Sequence, residues 1–135
     1  PVVPDPVAAH GECLSLLISP TPVESKDPFL IHKTSRREAY DRAVAEVPLG
    51  VSPLLVNELG HVTESAIANV VYQMGGRLFT PPLTDGLLPG VLRDELIDEG
   101  TVSERSLPLA DIEKVESWWL INSLRGWRRC ELTRS

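Results

Sequence analysis

Ala66-Ile67-Ala68-Asn69-Val70-Val71-Tyr72-Gln73-Met74-Gly75-Gly76-Arg77-Leu78-Phe79-Thr80 is the stretch on which the fold turns. Its flanks are rich in β-branched and aromatic residues, and Gly75-Gly76 offers a two-residue turn in which both central positions tolerate positive φ. The spacing predicts strands over 66–74 and 77–80 joined as a hairpin. Downstream, the Pro81-Pro82 break and the glycines at 86 and 90 lead into a helix expected at 91–99, closed by Gly100. Beyond it a strand is expected over 102–107, a short helix over 109–115, a β-rich apolar strand from Ser117 to Ile121, and a last strand over 127–132. Upstream, the apolar run Cys13-Leu14-Ser15-Leu16-Leu17-Ile18 predicts a buried strand within 12–19, followed by a proline-rich turn at 20–28. Ser35 can cap a helix over 36–46, with Ala39, Tyr40, Ala43 and Val47 at helical spacing. Strands are expected over 52–58 and 61–64, turned by Leu59-Gly60. Hairpins and crossovers together imply an α/β domain built on a mixed sheet. Residues 1–28 read as a linker arm and first strand, and 29–135 as the body of a single domain. Trp118 and Trp119 are expected to be one core and one interface residue.

The 135 residues are 42% hydrophobic and 24% charged, with a formal net charge of -6, so a core is affordable by size. A negative chain lacks the basic face that nucleic acid or an acidic membrane surface requires. No apolar run approaches the roughly 20 residues of a membrane-spanning helix. Cys13 and Cys130 each fall in a strand-like segment and are read as buried thiols in a cytoplasmic protein. No second cysteine pair suggests a metal.

Four segments carry candidate chemistry: Ile31-His32-Lys33-Thr34-Ser35-Arg36-Arg37, the stretch from Gly60 through Glu64 to Asn69, Leu87-Leu88-Pro89-Gly90-Val91-Leu92-Arg93, and Ile121-Asn122-Ser123-Leu124-Arg125-Gly126-Trp127. Lys33 ends an apolar stretch just before a helix, where partial desolvation frees an amine for nucleophilic work; an exposed lysine at a strand end is the other use. Glu64 supplies a carboxylate, or a turn cap after Thr63. Pro89-Gly90 before a helix offers backbone N–H groups and the positive end of the helix dipole to an anion. Arg93 is expected to bond carbonyls or an acid. Ser123 supplies a hydroxyl, and Arg125 either grips a carboxylate bidentately or lies on the surface of a turn. His32 follows the strand alternation away from the face that Lys33 uses.

In this order the segments resemble the C-terminal part of the class IV pyridoxal-phosphate aminotransferases. That family includes branched-chain and D-amino acid aminotransferases and aminodeoxychorismate lyase. His32-Lys33-Thr34 and Arg37-x-x-Tyr40-Asp41 are most like the lyase module fused to aminodeoxychorismate synthase component I. The resemblance runs from about residue 29 to the end. It implies the mixed-sheet pseudo-barrel of fold-type IV enzymes, pyridoxal 5'-phosphate as cofactor, and Lys33 as the catalytic Schiff-base lysine. It also implies that Glu64 pairs with the pyridine nitrogen and that Asn69 fixes the loop or approaches the cofactor. Gly90, Val91 and Leu92 match the phosphate turn, with Leu92 standing where family members often have threonine. Asn122 and Ser123 match a second phosphate-side turn, and Arg125 a substrate-binding position. The implied reaction splits 4-amino-4-deoxychorismate into 4-aminobenzoate and pyruvate, in folate biosynthesis. Class IV transamination of an amino acid is the alternative enzyme. No segment matches the family's N-terminal small domain, its natural partner, so a catalytically incompetent fragment is a further alternative. A small-molecule amino substrate and a homodimer complete the expectation.

Overall fold

The structure is a computed structural model that describes residues 14–19, 40–48, 50–66 and 68–133. Eight strands occur in the order β1 (Leu14–Ile18), β2 (Val51–Val56), β3 (Val62–Ser65), β4 (Asn69–Met74), β5 (Arg77–Thr80), β6 (Ser103–Glu104), β7 (Ser117–Asn122) and β8 (Gly126–Leu132). A helical segment, α1, covers 40–45, and helix α2 covers Val91–Asp98. The strands hydrogen-bond in the order β3-β2-β1-β8-β7-β4-β5-β6, and β3 also pairs with β4. The first six therefore close on themselves as a barrel, while β5 and β6 extend it beyond β4. β1 runs parallel to both β2 and β8, so the first strand lies inside the barrel wall. Closure runs through the opposed pair Glu64 and Asn69.

The hairpin expected from Gly75-Gly76 is present. Both glycines adopt positive φ, 59° and 75°, and Met74 pairs with Arg77 across the turn. β4 begins at Asn69 and not at Ala66, because Ser65 N–H bonds the carbonyl of Ala68 at 2.9 Å and turns the chain sharply between β3 and β4.

Successive residues of a strand face opposite sides of the sheet. Val70 and Tyr72 on β4, Trp118 and Leu120 on β7, and Cys130 on β8 join Leu16, Leu54 and Val62 in one cluster to which all six barrel strands contribute. The alternate residues Val71, Trp119 and Ile121 pack with Trp127, Leu96 and Val102 in a second cluster, against which Leu92 and Ile97 also pack. That second cluster fastens α2 to the outside of the barrel. Trp119 and Trp127 meet edge to face at 5.9 Å and 84°. Both adjacent tryptophans are thus core residues, on opposite faces of β7, which corrects the expectation of one interface position; α2 covers what would otherwise be an open outer face. Cys130 is buried, its Sγ 3.3 Å from the Arg128 carbonyl, whereas Cys13 lies outside the described residues.

Two expected elements are shorter or tighter. The strand expected over 102–107 is reduced to β6, because Val102 N–H turns back to the Leu96 carbonyl at 3.3 Å and Arg105 N–H bonds Thr80 at 2.9 Å. The helix expected over 109–115 is a 3-10 helix, Leu109–Lys114, bounded by extended Pro108 and Val115. The start of the helix expected from Ser35 lies outside the described residues. Among the described residues, no helix is long and apolar enough to cross a membrane, and no group of metal-ligating side chains comes together.

Tyr72 is fully buried, and its phenol donates to the Arg105 carbonyl at 2.5 Å. Burial pushes this phenol well above the ordinary tyrosine range, against a smaller opposing pull from the Arg105 charge. Above about pH 10 an unfolded tyrosine loses its proton while the native one keeps it, so the native state binds more protons and stability falls as pH rises. Melting temperature is expected to drop between about pH 9 and pH 11, and the drop should be shallower in Tyr72→Phe; equal slopes in both proteins would refute the assignment.

Candidate functional site

Two buried polar residues sit at the seam of the barrel. Glu64 on β3 is 3% exposed and Asn69 on β4 is 6% exposed. Directly opposed residues of an antiparallel pair share a face, so both side chains reach the same space. The peptide of Leu88 lies between them. Its carbonyl accepts from Asn69 Nδ2 at 2.9 Å. Its N–H makes a long contact, 3.4 Å, with each oxygen of the Glu64 carboxylate. From α1, the hydroxyl of Tyr40 donates to Glu64 Oε2.

The clasp continues into Gly90, where a methyl group would stand 2.2 Å from Asn69 Oδ1. The backbone there is ordinary, with φ -63°, so glycine is required by the close approach of the amide and not by the turn. Gly90 is also the N-cap of the eight-residue helix α2 and supplies no side-chain cap. The first-turn N–H groups are left for an acceptor outside the helix, at the positive end of its dipole. Across the space, Asn122 ends β7, and its Oδ1 accepts from Arg125 N–H at 2.7 Å, shaping the turn that presents Ser123.

These elements enclose a cleft of about 300 Å³. Tyr40, Glu64, Asn69, Gly90, Val91, Leu92, Asn122 and Ser123 all line it. A larger groove of about 430 Å³ runs past Leu17, Leu109 and Leu132, with Glu113 and Thr133 as its polar side chains. Seven of the residues expected to bind the cofactor thus meet in one place, and Arg93 borders the same cleft. Arg125 stands apart: it is exposed on the β7–β8 turn and is not among the lining residues. Lys33 and His32 lie outside the described residues.

Arg93 is 2% exposed and takes the structural role expected of it. Its guanidinium bonds the Pro81 carbonyl at 3.0 Å, Glu104 at 2.6 Å and Asp94 at 2.9 Å, tying the start of α2 to β5 and β6. The loop before α2 is held from its other end by Asp85. That carboxylate accepts from Ser106 at 2.8 Å and pairs with His61 at 3.2 Å, and its carbonyl accepts from Asn57 at 3.0 Å. Sequence reasoning missed two participants. Tyr40 reads as an apolar helix position, because helical spacing does not report what a phenol will touch. The Leu88 peptide carries no side-chain signal at all.

Residues 3–132 match the family model described as amino-transferase class IV. A Schizosaccharomyces pombe protein that carries a provisional aminodeoxychorismate lyase name is 35% identical over 107 residues, covering 74% of this chain and 46% of that protein. The branched-chain-amino-acid aminotransferase of Escherichia coli K12 is 35% identical over 93 residues, 62% of this chain and 27% of that one. A solved Mesorhizobium loti structure, provisionally named an amino-acid aminotransferase, superposes with a TM-score of 0.83 at 38% identity, over 90% of this chain and 60% of that one. The chain spans less than half the length of these two curated relatives. The barrel with few helices is the fold of these class IV structures.

The clasp makes a coupled prediction. Gly90→Ala should destabilise the chain by about 1–3 kcal/mol through overpacking against Asn69. Asn69→Ala should cost a similar amount by leaving the Leu88 carbonyl unpaired. The double variant should lose less than the sum, because the methyl then occupies the space the amide vacated. Additive losses in denaturant melts would show that the two residues do not meet.

Proposed function

The chain belongs to the amino-transferase class IV family, and on that footing we propose that its cleft holds pyridoxal 5'-phosphate and serves an aminodeoxychorismate lyase. The supporting observation is the convergence of a buried carboxylate, a glycine-walled helix N-terminus and a polar turn on one cleft. The fit to this cofactor is chemical as well as spatial. Glu64 accepts hydrogen bonds at the closed end, where a protonated ring nitrogen needs an anion. The uncapped first turn of α2 and the Ser123 hydroxyl suit a phosphate. A volume of about 300 Å³ falls at the small end of ligand pockets.

When bound, this cofactor supplies an aldehyde for the substrate amine and an electron-withdrawing protonated ring. In this reading Glu64 holds the proton on the ring nitrogen. Lys33 would hold the cofactor through its amine and, once freed, would serve as the base for the proton on the substrate carbon that carries the amine. Breaking the ring carbon–oxygen bond releases pyruvate, whose methyl group gains a proton, and leaves 4-aminobenzoate; no oxidant or water enters the balance. The enzyme would serve folate biosynthesis in the cytoplasm and act as a homodimer on a small amino substrate.

A second enzymatic reading has its own support. The Escherichia coli and Mesorhizobium loti relatives carry aminotransferase names at 35% and 38% identity. Transamination would use the same Lys33 and Glu64, with the proton moved to the cofactor and not lost with pyruvate. The wall at Leu92 lacks the hydroxyl that family members often place there, which leaves the anion to backbone donors.

Assays of the protein with pyridoxal phosphate separate these readings. The lyase releases 4-aminobenzoate and pyruvate in equal amounts from 4-amino-4-deoxychorismate without a 2-oxo acid; a transaminase needs the 2-oxo acid and returns an amino acid. A longer natural form that turns over while the 135 residues bind cofactor without turnover would identify this chain as a cofactor-binding module. Borohydride reduction should attach a pyridoxyl group to Lys33, detected by peptide mass spectrometry, and label on Lys26 or Lys114 would overturn the lysine assignment. Glu64→Ala should lower turnover by about 100-fold or more, as loss of a group acting on the transition state does, while retaining the far-ultraviolet spectrum of the parent.

A further inference from the structure

We infer that Tyr40 is the positioning residue for Glu64, aiming its carboxylate into the cleft. This rests on the proposed pairing of Glu64 with the cofactor's ring nitrogen. A carboxylate that is 3% exposed has lost most of its water and needs donors from the protein. The Leu88 N–H gives only a long contact, at 3.4 Å to either oxygen, and so does little to choose one orientation. The Tyr40 hydroxyl is aimed at Oε2 alone, and its ring lines the same cleft. Among the described residues that line the cleft, the buried cation Arg93 bonds Pro81, Asp94 and Glu104.

A carboxylate has acceptor capacity for several donors on its two oxygens. Tyr40 occupies part of Oε2, which settles the rotation of a group whose terminal torsion is otherwise broad. Tyr40 is separated from Glu64 by 24 residues and stands on α1, so the seating of α1 on the barrel sets the aim of an acid on β3. Tyr40 acts here through Glu64, without touching the cofactor. A phenol suits the task because it donates while remaining neutral near pH 7, whereas a lysine or arginine would neutralise the acid as well as orient it.

The test is a double-mutant cycle on pyridoxal phosphate affinity, read by absorbance titration of the full-length protein. Tyr40→Phe should weaken binding on the order of tenfold, the loss of one hydrogen bond to a charged group. In a Glu64→Gln background the same change should have no further effect. Weakened binding in Glu64→Gln with no effect of Tyr40→Phe would overturn the role of Tyr40 and leave that of Glu64 standing. Unchanged binding in Glu64→Gln would overturn the pairing itself and this inference with it. Equal losses in both backgrounds would also overturn it, since Tyr40 would then act on the cofactor directly. A second measurement does not depend on the phenylalanine variant folding. The chain has two tyrosines, Tyr40 and Tyr72, so 3-fluorotyrosine labelling gives two fluorine resonances. Glu64→Gln should move one of them and leave the Tyr72 resonance in place, because that hydroxyl bonds Arg105; two unmoved resonances would overturn the inference.

Discussion

The opposed pair Glu64 and Asn69 closes the barrel and, at the same point, builds the cleft. Two polar side chains at a buried seam are destabilising unless their hydrogen bonds are made inside the protein. One residue's backbone, that of Leu88, meets both needs: its carbonyl takes the Asn69 amide and its N–H lies near the Glu64 carboxylate. Closure of the barrel and placement of the loop before α2 are therefore one event. A loop displaced by a single residue would present the wrong peptide to the seam and drive a side chain at position 90 into the Asn69 amide.

Helix α2 is located by two unlike forces that agree. Along its apolar side, Leu96 packs with Trp119, Trp127 and Ile121 on the outer face of the barrel, a large aromatic surface without directional preference of its own. At its start, Arg93 reaches the Pro81 carbonyl and Glu104, and these bonds are directional. Burial holds the helix against the wall, while the guanidinium and the Asn69 clasp settle its rotation and its first turn. An N-terminus can serve as an anion site only when its donors are held still, because donors that must reorganise lose much of their advantage.

What was legible in the sequence follows from the range of each signal. Gly75-Gly76 determines its hairpin locally, through backbone conformations other residues resist, and the turn, register and partner strand are as expected. Helix α2 was readable from Pro89-Gly90 at one end and Gly100 at the other. The barrel was expected from the family resemblance, whereas the pair that closes it, Glu64 and Asn69, has no local signature. The strand expected at 102–107 fails for a long-range reason: Thr80 captures Arg105 and Leu96 captures Val102, leaving two residues for β6. One of Trp118 and Trp119 was expected at an interface, because nothing in their own segment announces that α2 will cover Trp119. Tyr40 failed in the same way, since its spacing identifies a helix face and not the acid 24 residues away.

The cleft also bears on why one scaffold serves both lyases and transaminases. In either proposed reaction the acid at the seam and the helix N-terminus act on the cofactor, and neither needs to recognise the substrate. Such a site can be conserved in geometry while the reaction diverges, provided that substrate recognition lies elsewhere. The surroundings fit that division. Arg125 is exposed on the β7–β8 turn and is not part of the cleft lining, while Val91 on that lining and Leu124, next to Ser123, are exposed apolar residues, 65% and 89% accessible. The seam is rigid, buried and polar in a few fixed directions; the rim is open, apolar and loop-borne. Rim residues can change with little cost to folding, whereas a change at Glu64, Asn69 or Gly90 alters barrel closure and the shape of the cleft together. In either proposed reaction, substrate choice would fall to the rim and the chemistry common to both to the seam.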